Sequence, residues 1–286
     1  MEQRNKGILL MILSSLFFAL MAASVKLAGD LPTMEKVFFR NIIGLGVSAY
    51  LIFKSKESFV GNNKRYLLYR SIFGLLGVFL YFYAIAKLPL ANAVVLNQMN
   101  PFFVLILAAV FLKEGIRKQQ VSAIFFAIAG VIFIVKPQLD FAIIPALIGL
   151  ASAIFAALGY TLIRHLRLSD SPLVIVFYFT AFSTVSAIPF FGQFVMPTPL
   201  QFLALISVGI FATTAQFLMT YAYRYAEAGD LSIYSYGNTM FSIFIGIILW
   251  QEIPDLLSLV GITLILSGAY LNYRSYGKAE GIKEVK

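Results

Sequence analysis

Ten apolar runs, nearly free of charge, follow one another along almost the whole chain, at 8–28, 33–53, 66–87, 90–112, 119–136, 142–164, 172–192, 200–225, 229–250 and 256–273. A run of about 20 apolar residues is the length of helix that crosses the hydrocarbon core of a bilayer. Inside that core every backbone N–H and C=O must be paired within the protein, so such runs form helices or the strands of a closed barrel. Barrel strands are about ten residues long and alternate in polarity. These runs are longer and uniformly apolar, which predicts an all-α integral membrane protein with ten transmembrane helices. The balance of residues agrees, with 60% of the 286 hydrophobic and only 12% charged.

The formal charge is +9, but the cations sit between the apolar runs, as in the cytoplasmic loops of a membrane protein. With the N-terminus inside, 17 of the 22 Lys and Arg residues fall on the inner side and three, Lys36, Lys87 and Lys136, on the outer. Lys26 and Arg40 lie within spans. That bias predicts a multi-pass protein of the cytoplasmic (inner) cell membrane with both termini in the cytoplasm. The expected partners are the lipid bilayer and a small-molecule substrate, with a homodimer as an option and no nucleic acid. There is no Cys and one His, His165, so disulfides, thiol chemistry and Cys/His metal clusters are excluded. We expect no cofactor, no metal, no catalytic residue and no enzyme activity. The first run could pass for a signal peptide, but the repeat below needs it as a helix.

A shift of 138 residues lays the chain on itself without a gap. Ser14, Phe17, Ala19 and Leu20 fall on Ser152, Phe155, Ala157 and Leu158, and Lys26 on Arg164. Tyr83 and Ala84 fall on Tyr221 and Ala222, and Asn100, Glu114 and Gly130 on Asn238, Glu252 and Gly268. Phe and Leu coincide easily in apolar sequence, so the Asn, Glu, Gly and Tyr pairs carry the repeat. Five helices per repeat is an odd number, so the second repeat enters from the opposite side. The turn bearing Glu114 holds Lys113, Arg117 and Lys118. Its counterpart holds Gln251, Glu252, Pro254 and Asp255 and no cation. Opposite charge bias at one repeat position is what inverted topology produces under the positive-inside rule. The expectation is two inverted five-helix repeats, 1–137 and 138–274, and a basic cytoplasmic tail, 275–286. Such symmetry supplies two related conformations, one open to each side.

Two segments, Pro101…Phe111-Leu112-Lys113-Glu114…Gly130-Val131 and Asn238…Trp250-Gln251-Glu252…Gly261…Gly268-Ala269, resemble the paired signature of the drug/metabolite transporter superfamily, in its EamA-like ten-helix members. Each is a helix, a short Glu-bearing turn and a last helix containing glycine. Arg40 matches a basic position common in that family, and Thr239 departs from it where a proline is usual. The resemblance spans nearly the whole chain. It implies a cavity near the bilayer midplane between the halves, lined largely by helices 1–4 and 6–9, with helices 5 and 10 more peripheral. Members move amino acids, cofactors, nucleotide sugars and other metabolites, so the resemblance names a family and not a substrate.

Polar side chains at mid-depth are costly and mark either a pathway or hydrogen-bonded glue between helices. The fourth span carries Asn97, Gln98, Asn100 and Pro101. Asn97 and Asn100 share a helix face, and Pro101, having no N–H, frees the Asn97 carbonyl and kinks the helix. The repeat places Ser235 and Asn238 on the ninth span at the matching positions, beside Tyr236. As a group these residues are expected to line the pathway, while each alone is open to either reading. Gln216 and Tyr221 of the eighth span and Tyr83 of the third join the candidates. Their neighbours Tyr81 and Tyr160 stack on a ligand or simply pack. Arg40 either attracts an anionic group or is an ion-paired or snorkelling arginine, with Glu35 or Asp30 as partner. Lys26 is expected to snorkel, Tyr223 to sit in the interfacial belt, and His165 to be solvated at the interface. Glu114 and Glu252 are expected to cap or brace helix starts.

All 13 Asp and Glu lie in termini, turns or span ends. A mid-membrane carboxylate is the usual proton or sodium carrier, so its absence favours facilitated diffusion or exchange and disfavours a purely cationic substrate. The expected function is a secondary transporter that moves a small polar or amphipathic metabolite, an amino acid or related compound, by alternating access. The alternative is a facilitative channel or exchanger, or an uptake carrier for a vitamin, cofactor or other metabolite.

Overall fold

The computed structural model describes residues 2–111, 118–135, 143–226 and 228–283. Among them ten segments are long and apolar enough to cross a membrane, each overlying one of the apolar runs. Three helices, α1 (Glu2–Leu27), α2 (Thr33–Ser55) and α3 (Lys64–Lys87), cross unbroken. The fourth crossing is split into α4 (Leu90–Asn97) and α5 (Asn100–Phe111), and α6 (Lys118–Val135) completes the first half. The second half repeats the order: α7 (Ile143–Leu166), α8 (Pro172–Ala187, extended by a 3-10 turn Ile188–Gln193), α9 (Pro199–Tyr225), a ninth crossing split into α10 (Ala228–Ser235) and α11 (Gly237–Trp250), and α12 (Leu256–Lys283). The last helix runs on into the segment expected as a tail. The turn bearing Glu114 lies outside the described residues.

Several helix starts are written locally in the sequence. Thr198 Oγ1 accepts from the Gln201 N–H at 3.3 Å, and Gln201 Oε1 accepts from the Thr198 N–H at 2.9 Å, a reciprocal cap before Pro199. Ser171 caps α8 in front of Pro172. Both place proline where its missing N–H is harmless. Contacts between chain ends fix the threading. Asn62, ahead of α3, donates its N–H to Asp170 Oδ1, ahead of α8, at 2.6 Å, and Lys6 of α1 lies 4.5 Å from the Tyr225 ring centroid at the end of α9. These mark the N-terminal end of the bundle. At the far end Gln201 reaches the Ala28 carbonyl and Glu35 Oε2 accepts from the Val195 N–H at 3.1 Å.

The main helix pairs all join one half to the other. α1 packs on α9 and α3 on α7, which are the same contact under exchange of the repeats. The pairs α2–α8 and α6–α12 each map onto themselves. This is the contact pattern of two inverted five-helix repeats about a pseudo-two-fold. The outward surface stays apolar: Phe125 is 71% exposed and Ile248 75%. Water would not tolerate a belt of such side chains, and lipid does.

Between α6 and α12 the backbones touch. A Cβ on Gly130 would stand 2.6 Å from the Gly261 carbonyl oxygen, and one on Gly261 2.6 Å from the Gly130 carbonyl oxygen. Close approach through small residues is how membrane helices gain van der Waals contact without a hydrophobic drive. Gly261→Val is therefore expected to force the pair apart and to destabilise the fold by about 1–3 kcal/mol, the range for overpacking. Thermal unfolding of the detergent-solubilised protein checks this, and an unchanged midpoint would refute the close contact.

Candidate substrate cavity

The two broken crossings define the centre of the molecule. α4 ends at Asn97 and α10 at Ser235, which are repeat-equivalent residues. Both breaks tighten through i→i+3 bonds: the Met99 N–H reaches the Leu96 carbonyl at 3.2 Å and the Tyr236 N–H reaches the Ile233 carbonyl at 3.3 Å. Pro101 explains only part of this. Thr239, its counterpart, donates its N–H to the Tyr236 carbonyl at 3.0 Å, a bond that proline has no hydrogen to make. The break around Pro101 is accordingly the longer one. The Asn97 carbonyl, predicted to be released, accepts from Asn100 Nδ2 at 3.0 Å.

Side chains tie the two breaks together. Gln98 Nε2 donates to the Ser235 carbonyl at 2.6 Å, and Ser15 Oγ of α1 lies 2.9 Å from the Tyr234 carbonyl. Asn97 Nδ2 donates to Ser152 Oγ of α7 at 2.9 Å. Asn238 Oδ1 accepts from Ser242 Oγ at 3.3 Å. Asn97 and Gln98 thus bridge helices, and they also face an open space.

That space is a cavity between the halves. Of the predicted residues, Arg40, Asn97, Gln98, Asn100, Gln216, Ser235 and Asn238 line it. Tyr83, Tyr221 and Tyr236 are not among its lining residues; Tyr236 packs in an apolar cluster with Val95, Met99 and Ile265. Among the described residues none of α6 or α12 borders it. The lining reaches the last turns of α7 and α9, at Arg164 and Tyr223, but at the other end stops at Met21 and Phe82, more than a turn short of the ends of α1 and α3. The cavity is thus displaced toward the N-terminal end.

The far end is held by a clasp. Lys26 forms an ion pair with Glu252, its Nζ stands 3.4 Å from the Leu88 carbonyl and 5.3 Å from the centroid of Trp250. Glu252 Oε2 also accepts from the Leu90 N–H at 2.9 Å, at the start of α4. Lys26, expected to snorkel, is instead paired across the repeats, with a residue 226 positions away. Glu252 braces a helix start, though that of α4 in the other half.

Three arginines face the cavity, and among the described residues none that line it is acidic. Arg40 and Arg70 are 5% and 3% exposed, and their guanidinium carbons lie 5.1 and 4.2 Å from the centroid of the same ring, Phe179. Arg40 Nη1 donates to Asn41 Oδ1 at 2.8 Å. Among the described residues neither arginine has an ion pair, and Glu35, a candidate partner for Arg40, is bonded to Val195. A cation–π contact contributes about 0.5–2 kcal/mol, less than the several kcal/mol, roughly, that desolvating an ion costs. The cavity also gathers unmatched polar atoms. Arg40 Nε, Arg70 Nε, Arg164 Nε and Gln216 Nε2 are buried with no hydrogen-bond partner among the described residues. Buried polar groups are nearly always paired, so a cluster of exceptions around one space marks where a polar ligand has its contacts.

Arg70, Arg164, Phe179, Ser15 and Tyr223 are among the lining residues that sequence reasoning missed. Arg70 was counted with the inner cations although it lies inside the third span, two turns into α3. Arg164 is the repeat counterpart of Lys26, a second available signal. Phe179 had none, since a phenylalanine in an apolar run carries no direction.

A model of the EamA-like transporter family matches residues 5–136 and again 143–274. The chain belongs to the EamA-like transporter family. It is 36% identical to the pseudopaline exporter CntI of Pseudomonas aeruginosa, over 92% of this chain and 94% of that one. An uncharacterized transporter of Helicobacter pylori is 29% identical, covering 93% of each chain. Human solute carrier family 35 member G1 is 25% identical over 87% of this chain and 73% of its own length. A crystal structure superposes with a TM-score of 0.69 at 18% identity, covering 93% of this chain and 96% of the other, a likeness of fold alone. This EamA-like protein is a drug/metabolite-superfamily membrane transporter of small metabolites, not an enzyme.

Proposed function

We propose that this EamA-like protein is an alternating-access secondary carrier that exports a small polar or amphipathic metabolite, an amino acid or related compound, across the cytoplasmic membrane. The two halves, 1–137 and 138–274, are the moving parts, and both termini lie in the cytoplasm. The observation that carries the reading is the cavity itself. It sits where the repeat-equivalent breaks meet, and it is clasped at one end while its lining extends toward the other. That is the form of a carrier caught with one side closed. On the proposed orientation the clasped end is external. The direction of transport rests on the relative named as an exporter. One chain supplies the whole site, so a homodimer would add no residue to it.

Purified protein in liposomes tests the reading. Flux of the substrate is expected to saturate, and to accelerate when substrate is present on the opposite side. Unitary current steps with non-saturating flux would make the protein a channel. Cells that overproduce the protein are expected to hold less of the substrate than cells lacking it; the reverse would make it an importer.

A further inference from the structure

We propose that the substrate is an organic anion whose carboxylate groups are held between Arg40 and Arg70. This deepens the carrier reading above and rests on it. The two guanidinium groups meet on one phenylalanine ring, Phe179, in a cavity that no acidic side chain lines among the described residues. They come from opposite ends of the bundle, Arg40 from two turns into α2 and Arg70 from two turns into α3, which runs antiparallel to it. Two such groups held together, with no ion pair among the described residues, repel each other and lack counter-charge in a buried site. Arg164 adds a third positive group nearer the N-terminal end. A net-negative ligand relieves all three.

The rest of the cavity narrows the class. A guanidinium offers a planar fork of donors that matches a carboxylate with two parallel bonds. Arg40 Nε and Arg70 Nε are the unpartnered donors such a fork would use. Across the cavity the amides of Asn100 and Asn238 suit hydroxyl, amide or further carboxyl groups. The walls between them are apolar, at Met21, Val78 and Val104, and call for a carbon skeleton rather than an inorganic oxyanion. A lysine-like cation would find no carboxylate among the described lining residues, and a neutral zwitterion would leave its ammonium facing arginines, so among amino acids and related compounds the site selects those with net negative charge.

The test is the thermal unfolding of full-length protein in detergent, with glutarate and citrate as carboxylate probes. Glutamine, lysine, inorganic phosphate and sodium chloride at matched ionic strength are the comparisons. Glutarate or citrate is expected to raise the midpoint by several degrees. Arg40→Gln and Arg70→Gln are expected to need at least tenfold more of the same probe. Without ligand, the midpoint of Arg70→Gln is expected at or above that of the unsubstituted protein, because an uncompensated buried charge is gone; loss of the shift is then loss of binding and not of folding. Arg70→Lys, which keeps the charge and loses the fork, is expected to fall between. The inference is overturned if no carboxylate stabilises the protein, if glutamine, lysine, phosphate or chloride does so equally, or if the shift survives in the doubly substituted protein. The carrier reading fails separately. A carboxylate that binds but is not moved across liposomes with trans-stimulation removes the carrier and leaves the anion site. A neutral compound moved in that way keeps the carrier and removes the anion site.

Discussion

Breaking the Lys26–Glu252 pair is expected to shift the transporter by about 30-fold toward the conformation open at the far end. The side chains are 16% and 25% exposed, so the pair is too sheltered for the fraction of a kcal/mol that solvated pairs contribute. It is too wet for the 3–5 kcal/mol lost when a fully buried pair is broken. An intermediate loss of about 2 kcal/mol corresponds to about 30-fold in an equilibrium. Glu252 also holds the Leu90 N–H at the start of α4, so Lys26→Gln leaves one of its contacts and Glu252→Gln weakens both. The chain has no native cysteine, and Val78→Cys in the cavity gives a reporter without background. An impermeant maleimide added from outside is expected to label that cysteine much faster when Lys26→Gln is present. Exchanging the charges, Lys26→Glu with Glu252→Lys, is expected to slow it again. Equal labelling in all three would mean that the pair does not hold the far end closed.

Replacing both Asn100 and Asn238 by alanine is expected to lower transport by about 5- to 150-fold. Each amide stands beside a helix break and lines the cavity from its own half. A neutral hydrogen bond contributes about 0.5–1.5 kcal/mol, which is about 2- to 12-fold apiece, and losses at separate sites add in free energy. Asn100→Ala also strips the Asn97 carbonyl of its donor, so it is expected to be the more damaging single change. Flux into liposomes measured against substrate concentration checks this. Unchanged transport in the double variant would place the substrate elsewhere.

The membrane fold was legible because a bilayer reduces folding to lengths and signs. Span length and loop charge place helices without any knowledge of packing, and the constant offset supplies the symmetry. The broken crossings were half legible: Pro101 announces one, but the ninth breaks at Tyr236 with no proline to mark it. The amides of Asn97, Gln98, Asn100 and Asn238 stood out because polar atoms are rare at that depth. What stayed hidden depends on direction and distance. Counting Arg70 as a loop cation says nothing of which way its side chain turns. Tyr236 looked equivalent to Gln98 by register, yet it packs in an apolar cluster beside a break of different length. The Lys26–Glu252 pair joins residues that nothing local connects.

The interlocking of the halves has a consequence for how the protein is made. α1 rests mainly on α9 and α3 on α7, so a nascent chain that has inserted its first five helices still lacks the partners of the first and third. α1 must wait in the lipid until residues 199–225 have left the ribosome. Contacts so distant in sequence form late and slowly. Until they do, the buried serines and arginines of the first half face the bilayer, where insertion factors and quality-control proteases survey unfinished chains. Maturation of this transporter should therefore hinge on completing its second half, and truncation after α6 should yield a fragment that is inserted and then degraded.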